Sequence, residues 1–78
     1  VYFVYILRCS NGQIYTGCTS DLKERLDRHK NGQVPATKSI LPVKLIWYGY
    51  FVDKYKAFHF ERYLKSGSGK ALAQKRLT

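Results

Sequence analysis

Apolar and aromatic residues fall into runs separated by polar, turn-forming segments. Residues 2–9 (YFVYILRC) are rich in aromatic and β-branched side chains, which predicts a strand. Ser10-Asn11-Gly12 is a turn signal, and Gln13 to Cys18 (QIYTGC) reads as a second strand, so the two make a β-hairpin. Thr19 or Ser20 is placed to cap a first helix, with Asp21 and Glu24 in its first turn, where the macrodipole favours acids. That helix runs to about Lys30 and ends at Asn31-Gly32. Residues 33–43 hold Pro35 and Pro42 and read as a loop. A third strand covers 44–52 (KLIWYGYFV), and Asp53 caps a second helix from about Lys54 to Lys65. Gly67 and Gly69 are expected to break it before a short last helix over KALAQKRL. The order β-β-α-β-α-α predicts one α+β domain over residues 1–78, a small three-stranded antiparallel sheet flanked by helices.

Three polar side chains break this pattern. The first helix has two apolar residues, Leu22 and Leu26, which set its buried direction. His29 falls about 20° from Leu22 on the helical wheel and Arg25 about 60° from it. Snorkelling, with the arginine stem on apolar surface and its head in water, would also explain Arg25. On the second helix Ala57, Phe60 and Leu64 form the stripe, and Glu61 sits about 40° from Ala57. A carboxylate there has to be paired, protonated or metal-bound, and a salt bridge to Arg25 or a lysine would satisfy it.

Tyr5 and Tyr15 lie on the two hairpin arms, where a tyrosine is ordinarily a packing residue. Their relative phase depends on the turn. A two-residue Asn11-Gly12 turn would oppose Tyr5 to Cys18 and Tyr15 to Arg8, on opposite faces. The expected turn is a three-residue loop, Ser10 to Gly12, or an equivalent bulge, which pairs Cys9 with Gln13, Leu7 with Tyr15 and Tyr5 with Gly17, with Gly12 suited to the left-handed position. Both tyrosines then share a face, expected to be the side that also carries Arg25, His29 and Glu61. The set suits phosphoryl chemistry. Arginine holds a phosphate by charge-assisted bonds, glutamate holds a hard divalent cation, and a phenol or imidazole takes a proton from water.

The charge supports a polyanionic partner. Fourteen Lys and Arg stand against five Asp and Glu, a net +9. Charge alone leaves nucleic acid, an anionic membrane surface, or a basic surface without a dedicated partner. Lys65, Lys70, Lys75 and Arg76 crowd the C-terminal quarter with no acid beyond Glu61, as backbone-binding residues or as a solvated basic helix. No apolar run reaches the roughly 18 residues of a membrane span, and the N-terminus makes a poor signal peptide. Cys9 and Cys18 lack Cys-x-x-Cys spacing. In the hairpin they are too far out of register to bridge, so they read as small strand residues in a reducing, cytoplasmic setting.

Taken in order, VYFVYIL and IYTG with Tyr5 and Tyr15 ten positions apart, DLKERLDRH, VPATKSILPVKLIWY and FERYLKSGSGKALAQKRL resemble the GIY-YIG nucleases. The resemblance is to their compact single-domain bacterial branch and covers nearly the whole chain. It implies a metal-dependent endonuclease acting on DNA, with RNA left open, in DNA repair or processing. It implies Tyr15 as general base or its close partner, Tyr5 as an assisting group and Arg25 on the scissile phosphate. His29 would tune a tyrosine or relay a proton, and Glu61 would hold a single Mg²⁺ or Mn²⁺. The first motif here is Phe3-Val4-Tyr5, without its glycine, and the second is Tyr15-Thr16-Gly17, with Thr for Ile. Cys18 stands where some members carry Lys, and no Asn follows Glu61. The competing reading is a non-cleaving nucleic-acid-binding module of the same fold; an adapter working through the aromatic third strand is a third. Sequence specificity is expected to be low or supplied by a protein partner.

Overall fold

The computed structural model describes residues 1–72 and 75. Strands β1 (Tyr2–Cys9) and β2 (Ile14–Thr19) form the hairpin, helix α1 (Leu22–Lys30) follows, and β3 (Val43–Phe51) leads to α2 (Lys54–Lys65) and α3 (Gly67–Leu72). The sheet is antiparallel with order β2-β1-β3, so β1 is central and β2 is an edge. The α+β architecture and its element order are those expected from the sequence.

Alternation along β1 divides the molecule into two layers. Val4 and Ile6 point to one face and pack with Ala57 and Leu64 of α2, all essentially fully buried. Phe60 closes this core against Trp47 and Phe51, with ring centroids 5.8 and 5.5 Å apart. A bulge in β3 serves the same layer. Pairing steps from Ile6↔Trp47 to Leu7↔Leu45, and both Ile46 and Trp47 pack against the α2 core. Tyr5 points to the opposite face, where it meets His29 of α1.

The hairpin closes through the three-residue loop. Cys9 N–H donates to the Gln13 carbonyl (2.8 Å), and Tyr5 pairs with Gly17 and Leu7 with Tyr15. Gly12 supplies the left-handed residue that the loop needs, with φ of 85°. Both cysteines are free thiols.

The helix ends correct two expectations. Asp21, and neither Thr19 nor Ser20, is the α1 N-cap: its carboxylate accepts from Glu24 N–H at 3.1 Å. Thr19 acts one step earlier, its hydroxyl accepting from Asp21 N–H at 3.1 Å. Asp53 caps α2 as expected, accepting from Tyr55 N–H at 2.8 Å. The break after α2 falls at Ser66, and Gly67 and Gly69 belong to α3. Gly69 is buried against the last turn of α2, so its small size serves helix packing and not helix termination. The later part of the expected last helix, with Arg76, lies outside the described residues.

Candidate active site

The site forms on one face of the β1–β2 pair, where α1 meets it. Tyr5 and Tyr15 lie on the same face, ring centroids 6.3 Å apart, and the His29 ring stands edge-on to both at 5.7 and 5.2 Å. His29 is the one buried residue of α1, so the helix presents an imidazole where a core helix ordinarily presents an aliphatic side chain. Tyr5 Oη is hydrogen-bonded to His29 Nε2 at 2.9 Å. His29 Nδ1 is in turn hydrogen-bonded to Thr37 Oγ1 at 2.8 Å. Tyr5, His29 and Thr37 are all fully buried, whereas Tyr15 is half-buried.

Gly17 makes room for this arrangement. The Tyr5 ring lies over its backbone, and a Cβ on Gly17 would meet Tyr5 Cε1 at 2.8 Å and crowd the phenol still more. The glycine of the second motif therefore has a steric role here: it admits the first tyrosine across the strand pair.

Burial governs the protonation states. It pushes the Tyr5 phenol up to about 12, with the neighbouring Tyr15 adding to the shift. The Arg25 guanidinium opposes it through its charge and its N–H groups, and Glu61 raises it slightly. The same burial, helped by Arg25, lowers the His29 pKa and favours the neutral imidazole. The Cys18 thiol is raised by burial and by Glu61 and lowered by Arg25. Arg25 and Glu61 thus act on the same two groups, Tyr5 and Cys18, from different helices.

Glu61 departs from expectation in its side of the sheet. The sequence pattern puts it on the face shared by the tyrosines, Arg25 and His29. Its helix, α2, packs on the opposite face through Ala57 and Leu64, and Glu61 acts by its charge on Tyr5 and on Cys18. It is 18% exposed and bound by Lys65 Nζ at 3.1 Å, so a lysine salt bridge satisfies the carboxylate. Arg25 is half-buried, and its Nε is buried without a hydrogen-bond partner among the described residues. Lys65, Lys70 and Lys75 are exposed, Lys65 through its ion pair beside Glu61.

Sequence reasoning missed Thr37, which sits in the segment read as featureless loop. The local signal is Pro35: it occupies the second position of a turn in which Thr37 N–H donates to the Val34 carbonyl at 3.1 Å. That turn fixes where the threonine hydroxyl falls, but nothing in the spacing says that a histidine will meet it.

Comparison with known proteins adds a family to this geometry. Residues 1–76 match the sequence profile of the GIY-YIG catalytic domain. A UPF0213 protein of Streptococcus agalactiae is 39% identical over 70 residues, covering 88% of this chain and 80% of that one. One of Clostridium perfringens is 39% identical over 64 residues, covering 81% and 69%. The solution NMR structure of a UPF0213 protein from Bacillus halodurans superposes with a TM-score of 0.62 at 31% identity, covering 97% of this chain and 85% of that one.

Proposed function

The chain belongs to the GIY-YIG family of nucleases, and from that premise we propose that it is a divalent-metal-dependent endonuclease hydrolysing phosphodiester bonds in DNA, in cytoplasmic repair or processing. The observation that carries the reading is Arg25. A buried guanidinium N–H without a partner is costly. A phosphate oxygen between α1 and the β2 edge would supply the missing acceptor and a compensating charge.

The donor set fits a lightly held cation. Among the described residues no group of three or more His, Cys, Asp or Glu side chains converges on a metal position. Glu61 stands as a single, partly exposed carboxylate. Mg²⁺ or Mn²⁺ is commonly held by one or two carboxylates, with water and substrate phosphate completing the shell. Glu61 would hold it, exchanging its Lys65 partner for the cation. When bound, such an ion acidifies water and offsets charge on the reacting phosphate.

The protein groups then divide the work. Arg25 binds and orients the scissile phosphate. Tyr15, half-buried beside the fully buried Tyr5 and His29, is the phenol left for an attacking water to meet, as general base or its close partner. Tyr5 is fully buried and holds its proton, so it supports the site from behind through His29 and Arg25. Neutral His29 accepts or passes a proton within this network. Lys65, Lys70, Lys75 and Arg76 hold the nucleic-acid backbone by charge, with little base discrimination.

Incubating the purified protein with end-labelled linear and branched DNA in Mg²⁺, Mn²⁺ or EDTA tests the proposal. Cleavage in either metal and none in EDTA is expected. Binding without cleavage under all three conditions would replace it with the non-cleaving module, a reading favoured by the Glu61–Lys65 pair.

A further inference from the structure

Thr37 comes from a loop remote in sequence from both hairpin strands, yet it is fully buried against the imidazole at the centre of the site. A threonine hydroxyl has one hydrogen to donate and lone pairs to accept with. Here the Val34 carbonyl, 3.5 Å away, offers an acceptor for that hydrogen, and the oxygen lies 2.8 Å from His29 Nδ1. The opposite end of the network runs in the same sense. The Arg25 guanidinium carries its charge near the Tyr5 oxygen and has only N–H groups to offer. A cation beside that oxygen favours lone pairs turned towards Arg25 and the hydroxyl hydrogen turned to the neighbour at 2.9 Å, His29 Nε2.

We propose that Thr37 is a positioning residue: it accepts from His29 Nδ1–H, holds the imidazole in that tautomer, and leaves Nε2 to accept from the Tyr5 hydroxyl. The network then has one direction. Tyr5 donates to His29, His29 to Thr37 and Thr37 to the Val34 carbonyl, with the Arg25 charge on the lone-pair side of the Tyr5 oxygen. A backbone carbonyl fixed by the Pro35 turn thereby sets which way the Tyr5 oxygen presents its lone pairs, and so where the Arg25 guanidinium rests. In the reversed order Thr37 would donate to Nδ1, Nε2–H would point at the Tyr5 oxygen, and the Tyr5 hydrogen would have to turn towards the Arg25 cation. The groups facing His29 from the surrounding elements are Tyr5, Tyr15 and Arg25, with Thr37 behind it.

The tautomer is directly measurable. Long-range ¹H–¹⁵N correlation spectra of the full chain at pH 7.5 report which imidazole nitrogen carries hydrogen, and His59→Gln assigns the two histidines. His29 should show a protonated Nδ1 and an unprotonated Nε2 in the wild type and in Thr37→Ser. Thr37→Val, which removes the acceptor at nearly constant volume, should shift His29 predominantly to Nε2–H. A wild-type spectrum with Nε2–H, or a folded Thr37→Val that keeps Nδ1–H, overturns the proposal. Should Thr37→Val fail to fold, the wild-type and Thr37→Ser spectra decide alone. A kinetic arm rests on the nuclease reading above: Thr37→Val should lower kcat about 10- to 100-fold, with most of the rate restored in Thr37→Ser. Equal loss in Thr37→Ser and Thr37→Val would count against positioning through the hydroxyl. If the wild type does not cut, the nuclease reading falls and the spectra still judge Thr37.

Discussion

The Tyr5 ring rests on the bare backbone of Gly17, its cross-strand partner, and the phenol reaches past the strand pair to His29. Gly17→Ala should therefore act on both the fold and the site. A methyl group would overlap the phenol and force it or β2 to move. Overpacking of this kind costs about 1–3 kcal/mol. Urea denaturation should show the loss, and cleavage should fall further than stability explains, because Tyr5 can no longer reach His29.

Tyr5→Phe keeps the ring and removes the oxygen. His29 Nε2 then lies buried without its partner, a loss of about 1–3 kcal/mol. The same variant tests the protonation state. Absorbance titration of the wild type at 295 nm should contain a phenol ionising near pH 12, absent in Tyr5→Phe. Because the folded pKa is raised, the stabilisation is full below pH 10 and is lost as pH rises from 10 towards 12. A wild-type curve with no step near 12 would contradict the buried, hydrogen-bonded phenol.

His29 gives the acid-side counterpart. Its folded pKa lies below the ordinary 6.5, so the unfolded chain binds the proton more readily. Its contribution to stability is complete above pH 6.5 and is lost as pH falls from there through the folded pKa. Thermal melts between pH 7.5 and 5 should show this decline in the wild type. In His29→Gln the slope over that window should flatten, with lower stability throughout.

Glu61→Gln should abolish metal-dependent cleavage and leave DNA binding largely intact. Its structural cost should be small, since a partly exposed ion pair at i,i+4 spacing such as Glu61–Lys65 is worth about 0.3–0.5 kcal/mol. Gel-based cleavage beside fluorescence anisotropy separates the two effects. Wild-type rates in the mutant would remove Glu61 from the reaction.

Neutralising Lys65, Lys70, Lys75 and Arg76 together should weaken binding evenly across sequences. Each duplex phosphate that these cations no longer neutralise should flatten the slope of log K against log salt by about 0.9. An unchanged slope would make these residues a solvated surface.

The sequence carries the strand and helix periods and the hairpin phase, because these are local: alternation, turn chemistry and one left-handed glycine point to them, while the α1 cap falls one to two residues beyond the expected Thr19 or Ser20. His29 is visible for the same reason, as a polar residue on an apolar helical stripe. The side of the sheet on which Glu61 arrives is not. A helical wheel gives a helix its own buried direction, and says nothing about which face of a two-faced sheet will receive it. Thr37 is hidden for a related reason, since its value lies in a hydrogen bond made across the fold to a residue eight positions away, and a loop has no period against which to notice it. The family profile names a domain type, and the roles proposed for individual residues are argued from the resemblance and the geometry together.

Central strand β1 has one further consequence, in hydrogen exchange. Val4 and Ile6 sit in the apolar core and Tyr5 in the site, on consecutive residues of a strand paired on both sides. Local opening at Tyr5 would have to break that core, so the amides of residues 4–6 should exchange only through global unfolding. Arg25 and Glu61 are carried by helices on opposite faces, and both are only partly buried. The site thus joins a half as long-lived as the native state itself to a half that can adjust around a substrate on a far shorter clock.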